Sequence, residues 1–166
     1  MKPTVLLTND DGIGTAFLHA LVAACQAEGF AVKVAAPSGE RSWIGRAFSR
    51  HREVTVAAYP GLGDEAWSID GTPSDCVKLA LFSLLDEWPD LVLSGINHGP
   101  NLGTDVIYSG TVSAAMEGTI EGLPALAVSS ADFQWRQFTP AARLALDVAE
   151  QMLAQGWPEN MLLNLN

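Results

Sequence analysis

Positive charge is what this sequence most lacks. Lys and Arg together number 9 against 19 Asp and Glu, a formal net charge of -10. A surface of that sign repels nucleic-acid polymers and anionic membranes, both of which are recognised through a basic footprint. Any phosphorylated ligand is therefore expected to be small, and to be met by a metal ion and backbone amides. Cysteine is scarce too, with only Cys25 and Cys76, each in helical, apolar surroundings. Two buried free thiols in a reducing cytoplasm are expected rather than a disulfide. The N-terminal Met1-Lys2-Pro3-Thr4 leads into an apolar run too short for a signal peptide or a membrane span. No CxxC, HExxH, GxxxxGK[ST] or GxSxG motif occurs. The chain shows no internal repeat or low-complexity tract.

What is present is alternation. With 166 residues and 48% hydrophobic content, the chain has enough material for one α/β domain over residues 1–166. Residues 4–8 predict a first strand, Thr15 to Glu28 a helix closed by Gly29, and 30–35 a second strand ended by Pro37. Residues 37–51 predict a long polar loop, and 53–59 and 66–69 two short strands. Thr72 caps a helix predicted to run to Asp86, with Pro73 at its first position and Asp75 near its positive end. Strands at 90–93, 124–129 and 161–165, and helices at 111–122 and 140–155, complete the order. Strand and helix alternating in this way predict a mostly parallel, doubly wound sheet in a Rossmann-like three-layer sandwich.

Ligands of such sheets gather at the carboxyl ends of the strands. Three polar segments leave those ends: Asn9-Asp10-Asp11-Gly12, the loop with Arg41-Ser42, and Ser94-Gly95-Ile96-Asn97. Adjacent carboxylates repel each other, so a cation is the natural occupant between them. All-oxygen donors suit Mg²⁺, Mn²⁺ or Ca²⁺ rather than zinc. The bland alternative for Asp10-Asp11 is a turn followed by a helix cap. Further on, Tyr108-Ser109-Gly110-Thr111 opens a helix whose free amides and hydroxyls form an anion site. Asn101, Ser109, Gly110 and Thr111 are the phosphate candidates, an ordinary Ser/Thr cap being the alternative. His98 is expected at the rim, and His19 and His51 are expected to be structural or exposed. Lys78 is expected to be a solvated or packing residue in mid-helix. Of the scattered Trp residues 43, 67, 88, 135 and 157, Trp43 stands out beside Ser42. Its ring is expected either to stack on a base or to bury against the sheet.

Taken together, these pieces resemble the SurE (survival protein E) metal-dependent nucleoside-monophosphate phosphatases. The resemblance rests on Leu6 to Gly12, Ala36-Pro37 with Arg41-Ser42, Asp70 to Val77, Ser94 to Gly103 and Tyr108 to Val112, in family order over nearly the whole chain. It implies one divalent metal ion per subunit, Mg²⁺ or Mn²⁺ with Ca²⁺ as a stand-in, held by Asp10, Asp11, Ser42 and Asn97. It also implies phosphate contacts from Asn101, Ser109, Gly110 and Thr111. Asp10 and Asp11 are the candidate catalytic residues, one activating water or attacking directly. The implied activity is hydrolysis of nucleoside 5′- and also 3′-monophosphates by a cytoplasmic homodimer. Trp43 stands where the family usually has Gly, Ile13 to Ala16 where it often has Ala-Pro-Gly. Family chains also run well past Asn166, so this chain is expected to lack the C-terminal extension used in subunit pairing and to leave 161–165 in need of a sheet partner. Two other readings are a catalytically weakened nucleotide-binding or assembly module and a receiver-like signalling domain. The receiver reading requires an acceptor Asp where Asn97 stands.

Overall fold

In the computed structural model, which describes residues 2–134 and 138–166, seven strands form one sheet in the order β3-β4-β2-β1-β5-β6-β7. The strands are β1 (Thr4–Thr8), β2 (Ala31–Pro37), β3 (Val56–Ala58), β4 (Ala66–Ile69), β5 (Leu91–His98), β6 (Ala125–Ser130) and β7 (Leu162–Leu165). All neighbours are parallel except β3 and β4. The helices are α1 (Ala16–Glu28), α2 (Pro73–Leu79), a short α3 (Asp105–Tyr108), α4 (Gly110–Ile120) and α5 (Thr139–Gln155).

Side chains alternate across each strand, and two apolar layers result. Val5, Leu7, Val34, Leu91, Leu93, Leu126 and Val128 pack with Leu18, Leu21 and Cys25 of α1 and with Ala145 and Ala149 of α5. Leu6, Ala35, Val92, Ala125 and Ala127 face the other way, toward Val77 of α2 and Val112 and Ala115 of α4. A parallel sheet covered on both faces needs apolar residues of both parities, which is why β1 reads as an unbroken run. Cys25 and Cys76 fall in opposite layers and are free. Burial pushes the Cys25 thiol up to about 12. Among the described residues, no helix is long and apolar enough to cross a membrane.

Beginning at β1, the chain winds outward through β2 to β4, then returns to β5 on the other side of β1 and winds through β6 to β7. Strand order reverses between β1 and β5, and the crevice beyond their carboxyl ends is the topological switch point.

Several predicted boundaries shift. The helix starting at Thr72 has the predicted cap, with Thr72 and Asp75 in a reciprocal capping box, but α2 stops at Leu79. Ala80–Leu84 widens into a π-turn in which Leu85 N–H reaches Ala80 O, so Leu84 and Leu85 meet the second layer and no helix extends to Asp86. The strand predicted at 53–59 is assigned only over Val56–Ala58; Thr55 O still accepts from Asp70 N–H at 2.9 Å, and Arg52 pairs with the Asp70 carboxylate just before it. The strand predicted to end at 93 runs on to His98. After a register irregularity between Ser94 and Asn97, Asn97 and His98 pair with Ser129 and Ser130. Ser, Gly and Asn are poor strand formers, and here the ladder overrides propensity. The segment 161–165 finds its sheet partner, as β7 lies parallel to β6. Trp135 lies outside the described residues.

Gly118 shows how tightly α4 seats on the sheet, since a Cβ there would lie 2.6 Å from a Val92 methyl. Gly118→Val is expected to destabilise the fold by about 1–3 kcal/mol through overpacking. Its urea midpoint should fall, and an unchanged midpoint would mean that α4 can lift off the sheet.

Candidate active site

The loop after β1 is shaped by Asn9 before its acids contribute anything. Asn9 Nδ2 donates to Gly12 O (3.0 Å) and Thr15 Oγ1 (3.1 Å), and Gly12 N–H donates to Asn9 Oδ1 (3.2 Å). This closed turn presents Asp10 and Asp11 at the switch point. Asp10 is almost fully buried, and the N-terminus of α4 reaches it from the opposite side of the crossover. The Thr111 hydroxyl donates to Asp10 Oδ1. A Cβ on Gly110 would lie 2.7 Å from Asp10 Cβ and 2.9 Å from Oδ2, so only glycine allows the approach. Ser109 is the N-cap, its Oγ accepting from Val112 N–H at 3.1 Å. The anion at this helix terminus is thus a carboxylate of the protein itself.

The two acids are unequal. Burial raises the Asp10 pKa, opposed by the Thr111 hydroxyl and by backbone N–H groups of Asp10 and Thr111. Asp11 is raised to about 6, first by burial and then by the charges of Asp10 and Glu40, with His98 opposing. Its Oδ2 is buried and has no hydrogen-bond partner among the described residues.

A cleft of about 530 Å³ opens over these acids, a size typical of small-molecule sites. Asp10, Asp11, Ser42, Asn97, Asn101 and Ser109 all line it. Asn97 donates from Nδ2 to Gly99 O at 2.8 Å, which leaves Oδ1 as its free donor atom toward a cation. Ser42 is exposed and its hydroxyl is engaged with Glu40 Oε1 at 2.8 Å. Asn101 is buried, held through Nδ2 to Ser129 Oγ (2.8 Å) and through its backbone to Asn164 and Asn166. Gly110 and Thr111 are not in the lining; they stand behind Asp10. The Thr111 side chain, expected to meet phosphate, is fully buried and committed to that acid.

Among the described residues the lining contains no Lys or Arg, although Asp10, Asp11, Glu40 and Asp105 all contribute to it. No group of three or more His, Cys, Asp or Glu gathers as a metal cluster among the described residues. Two carboxylates, an amide oxygen and a hydroxyl nevertheless match the hard-donor set of Mg²⁺ or Mn²⁺, and Asp11 Oδ2 lacks a partner that such a cation would provide. The donor set therefore fits a divalent metal ion.

The loop after β2 is fastened at several points. Arg41 N–H donates to Asp10 O (2.7 Å), and its guanidinium pairs with Asp70 (2.7 Å) and Gly71 O. Thr72 Oγ1 donates to Ala47 O, and Ser49 N–H to Asp75. Buried Glu117 lies between Arg46 (3.6 Å) and Lys78 (3.2 Å), so Lys78 joins α2 to α4 rather than simply facing water. His98 is half-buried at the cleft wall, its Nε2 at 2.6 Å from Phe133 O. Trp43 is 72% exposed and lines the cleft, which overturns the buried-against-sheet alternative.

Sequence reasoning missed Glu40, Asp105, Tyr108, Phe17 and Phe133 as lining residues. Glu40 has one usable signal, its position two residues before Ser42. Asp105 and Tyr108 lie on a four-residue helix with no periodicity to read.

Fold and site define a doubly wound α/β protein with an acidic ligand cleft at its switch point. The chain matches the family described as Survival protein SurE over residues 5–166, and it belongs to that family. It is 59% identical over 165 residues to a 5′-nucleotidase SurE of Prochlorococcus marinus (strain MIT 9313), covering 98% of this chain and 61% of the relative. A 5′-nucleotidase SurE of Synechococcus sp. (strain CC9311) is 58% identical, with 98% and 62% covered. The crystal structure of the SurE protein from Aquifex aeolicus superposes with a TM-score of 0.90 at 40% identity, covering 98% of this chain and 64% of that one. The chain thus spans about three fifths of the length of the curated relatives it matches.

Because the folded protein holds Asp11 protonated to about pH 6 while the unfolded chain releases that proton near 3.8, Asp11 makes stability fall as pH rises through this window. Without divalent cation, Asp11→Asn is therefore expected to melt a few degrees above the parent at pH 7 and close to it at pH 4. Equal melting temperatures at pH 7 in chelator would show that the carboxylate is not destabilised there.

Proposed function

We propose that this chain forms the catalytic α/β domain of a metal-dependent phosphatase that hydrolyses nucleoside 5′-monophosphates, and also 3′-monophosphates, to nucleoside and phosphate. Asp11 Oδ2 carries most of the weight, as a buried carboxylate oxygen without a hydrogen-bond partner among the described residues, beside the buried Asp10 in a cleft whose described lining holds no Lys or Arg. A dianionic phosphate ester enters such a cleft only if a cation comes with it. The names of the relatives in Prochlorococcus and Synechococcus supply the substrate class.

Asp10, Asp11, Ser42 and Asn97 would hold the metal ion, Mg²⁺ or Mn²⁺, one per subunit. When bound, it supplies positive charge against a phosphoryl oxygen and acidifies water. Asn101 and Ser109, which line the same cleft, would meet the phosphate. Gly110 and Thr111 act through Asp10, the glycine by permitting the approach and the threonine by holding the carboxylate in one orientation. Asp10 or Asp11 takes the proton of the attacking water or attacks phosphorus itself. A net charge of -10 favours small nucleotides over polymers. Two buried free thiols suit a reducing cytoplasm. We read the chain as one family domain, working as a homodimer.

Phosphate release from adenosine 5′-monophosphate should vanish with EDTA and return with Mg²⁺ or Mn²⁺. Asp10→Asn should lower it by more than the roughly 100-fold that bounds an outer-shell change. Undiminished release from that variant would overturn the site assignment. Thr111→Val keeps the shape but removes the donor to Asp10, and is expected to weaken metal affinity about 10–100-fold, read by titrating Mn²⁺. A rise in KM for the nucleotide at unchanged metal affinity would return Thr111 to the phosphate.

A further inference from the structure

Large apolar side chains are normally buried, and bulky residues normally avoid positive φ. Trp43 departs from both rules. Its φ is 59° and its side chain is 72% exposed, on a loop otherwise fastened by the contacts of Arg41, Arg46 and Ala47. Each departure costs free energy, and neither is offset by packing against the core. Strain held by an over-determined loop at the edge of a cleft is characteristic of ligand contact. Among the described residues the ring has one aromatic neighbour, Tyr108, at 6.2 Å between centroids and 34° between planes. Tyr108 is itself 53% exposed and lines the same cleft. At that separation the rings form a two-ring platform, too close to sandwich a third ring between them.

The opposite wall is also aromatic, and its rings pack on one another. Phe17 packs on Phe138 at 3.9 Å and on His98 at 5.2 Å, and His98 meets Phe133 at 5.9 Å. His98 is tied further by its ring nitrogen to Phe133 O. Among the described lining rings Trp43 is the most exposed, at 72% against 62% for Phe133, and unlike Phe133 it is not packed on His98.

We infer that Trp43, flanked by Tyr108, is the platform on which the base of the nucleotide stacks, making this loop the specificity-determining wall of the cleft and favouring purines, which offer the larger π-face. The inference rests on the nucleotidase reading and names the part of the substrate that the acidic end of the cleft does not hold. Stacking is non-covalent, so it adds affinity for the base without contributing to phosphoryl chemistry.

The test compares the parent protein with Trp43→Ala, Trp43→Phe and, as a control ring outside the cleft that packs on Phe82, Trp88→Ala, all in Mn²⁺. The first readout is the ratio of kcat/KM for adenosine 5′-monophosphate to that for ribose 5-phosphate, which lacks a base. In Trp43→Ala the ratio is expected to fall about tenfold, mostly through KM, as loss of one base–aromatic stack implies. Trp43→Phe should keep most of the ratio, and Trp88→Ala all of it. The second readout is equilibrium dialysis of adenosine, which carries no phosphate to remove; its affinity should fall by a similar factor in Trp43→Ala only. An unchanged ratio in Trp43→Ala, or an equal fall in Trp88→Ala, overturns the inference. If the parent hydrolyses neither phosphate ester, the nucleotidase reading fails, while dialysis still decides the platform. Adenosine binding that is undetectable in the parent, or equal in parent and Trp43→Ala, overturns the platform.

Discussion

Two carboxylates set side by side at a buried strand end repel each other and have lost most of their water. Asp10 endures this because α4 donates to it from Thr111 and because Gly110 lets the helix come close. That contact spans the crossover between the two halves of the sheet, joining the end of β1 to the element that follows β5. Much of the local architecture follows from keeping the contact. Gly118 seats α4 against Val92, Ser109 caps its first turn, and the Glu117–Lys78 pair fixes it to α2. Asp11 receives no comparable support, and its Oδ2 has no hydrogen-bond partner among the described residues.

The loop after β2 extends the same logic. It carries no regular structure across residues 38–55, yet it is fastened to Asp10, Asp70, Asp75 and Glu117. Three of its arginines spend their charge on buried or half-buried acids rather than on the cleft. A chain short of positive charge thus uses it as scaffold, and the described lining of the cleft stays acidic. The fold supplies rigidity around the acids and an open aromatic face beside them, and those demands fall on different segments.

Much of the fold was legible because alternating helix and strand patterns report burial directly. β1 had to be apolar at both parities to sit in a covered parallel sheet, and α1 and α5 carry their contacts at helical spacing. The misread stretches share one cause. Ser94 to Asn97 reads as loop because its residues are poor strand formers, yet β6 supplies a ladder on which they pair. The helix predicted to run to Asp86 has an uninterrupted helical composition, and its widening after Leu79 answers a packing demand of Leu84 and Leu85 that no local pattern encodes.

At the site the division is sharper. Residue order alone was enough to pick out Asp10, Asp11, Ser42, Asn97, Asn101 and Ser109, because oxygen donors at strand ends and at a helix start are local features of an alternating pattern. It could not assign Thr111 to Asp10 rather than to a ligand, because the choice depends on how far α4 slides toward β1, a distance set by glycine contacts and layer packing. Nor could it separate a buried Trp43 from an exposed one, since a left-handed turn in a loop without periodicity has no signature in composition. Sequence determined which chemical groups reach the crevice, and tertiary packing decided which of them were already bonded to one another and which still faced the cleft.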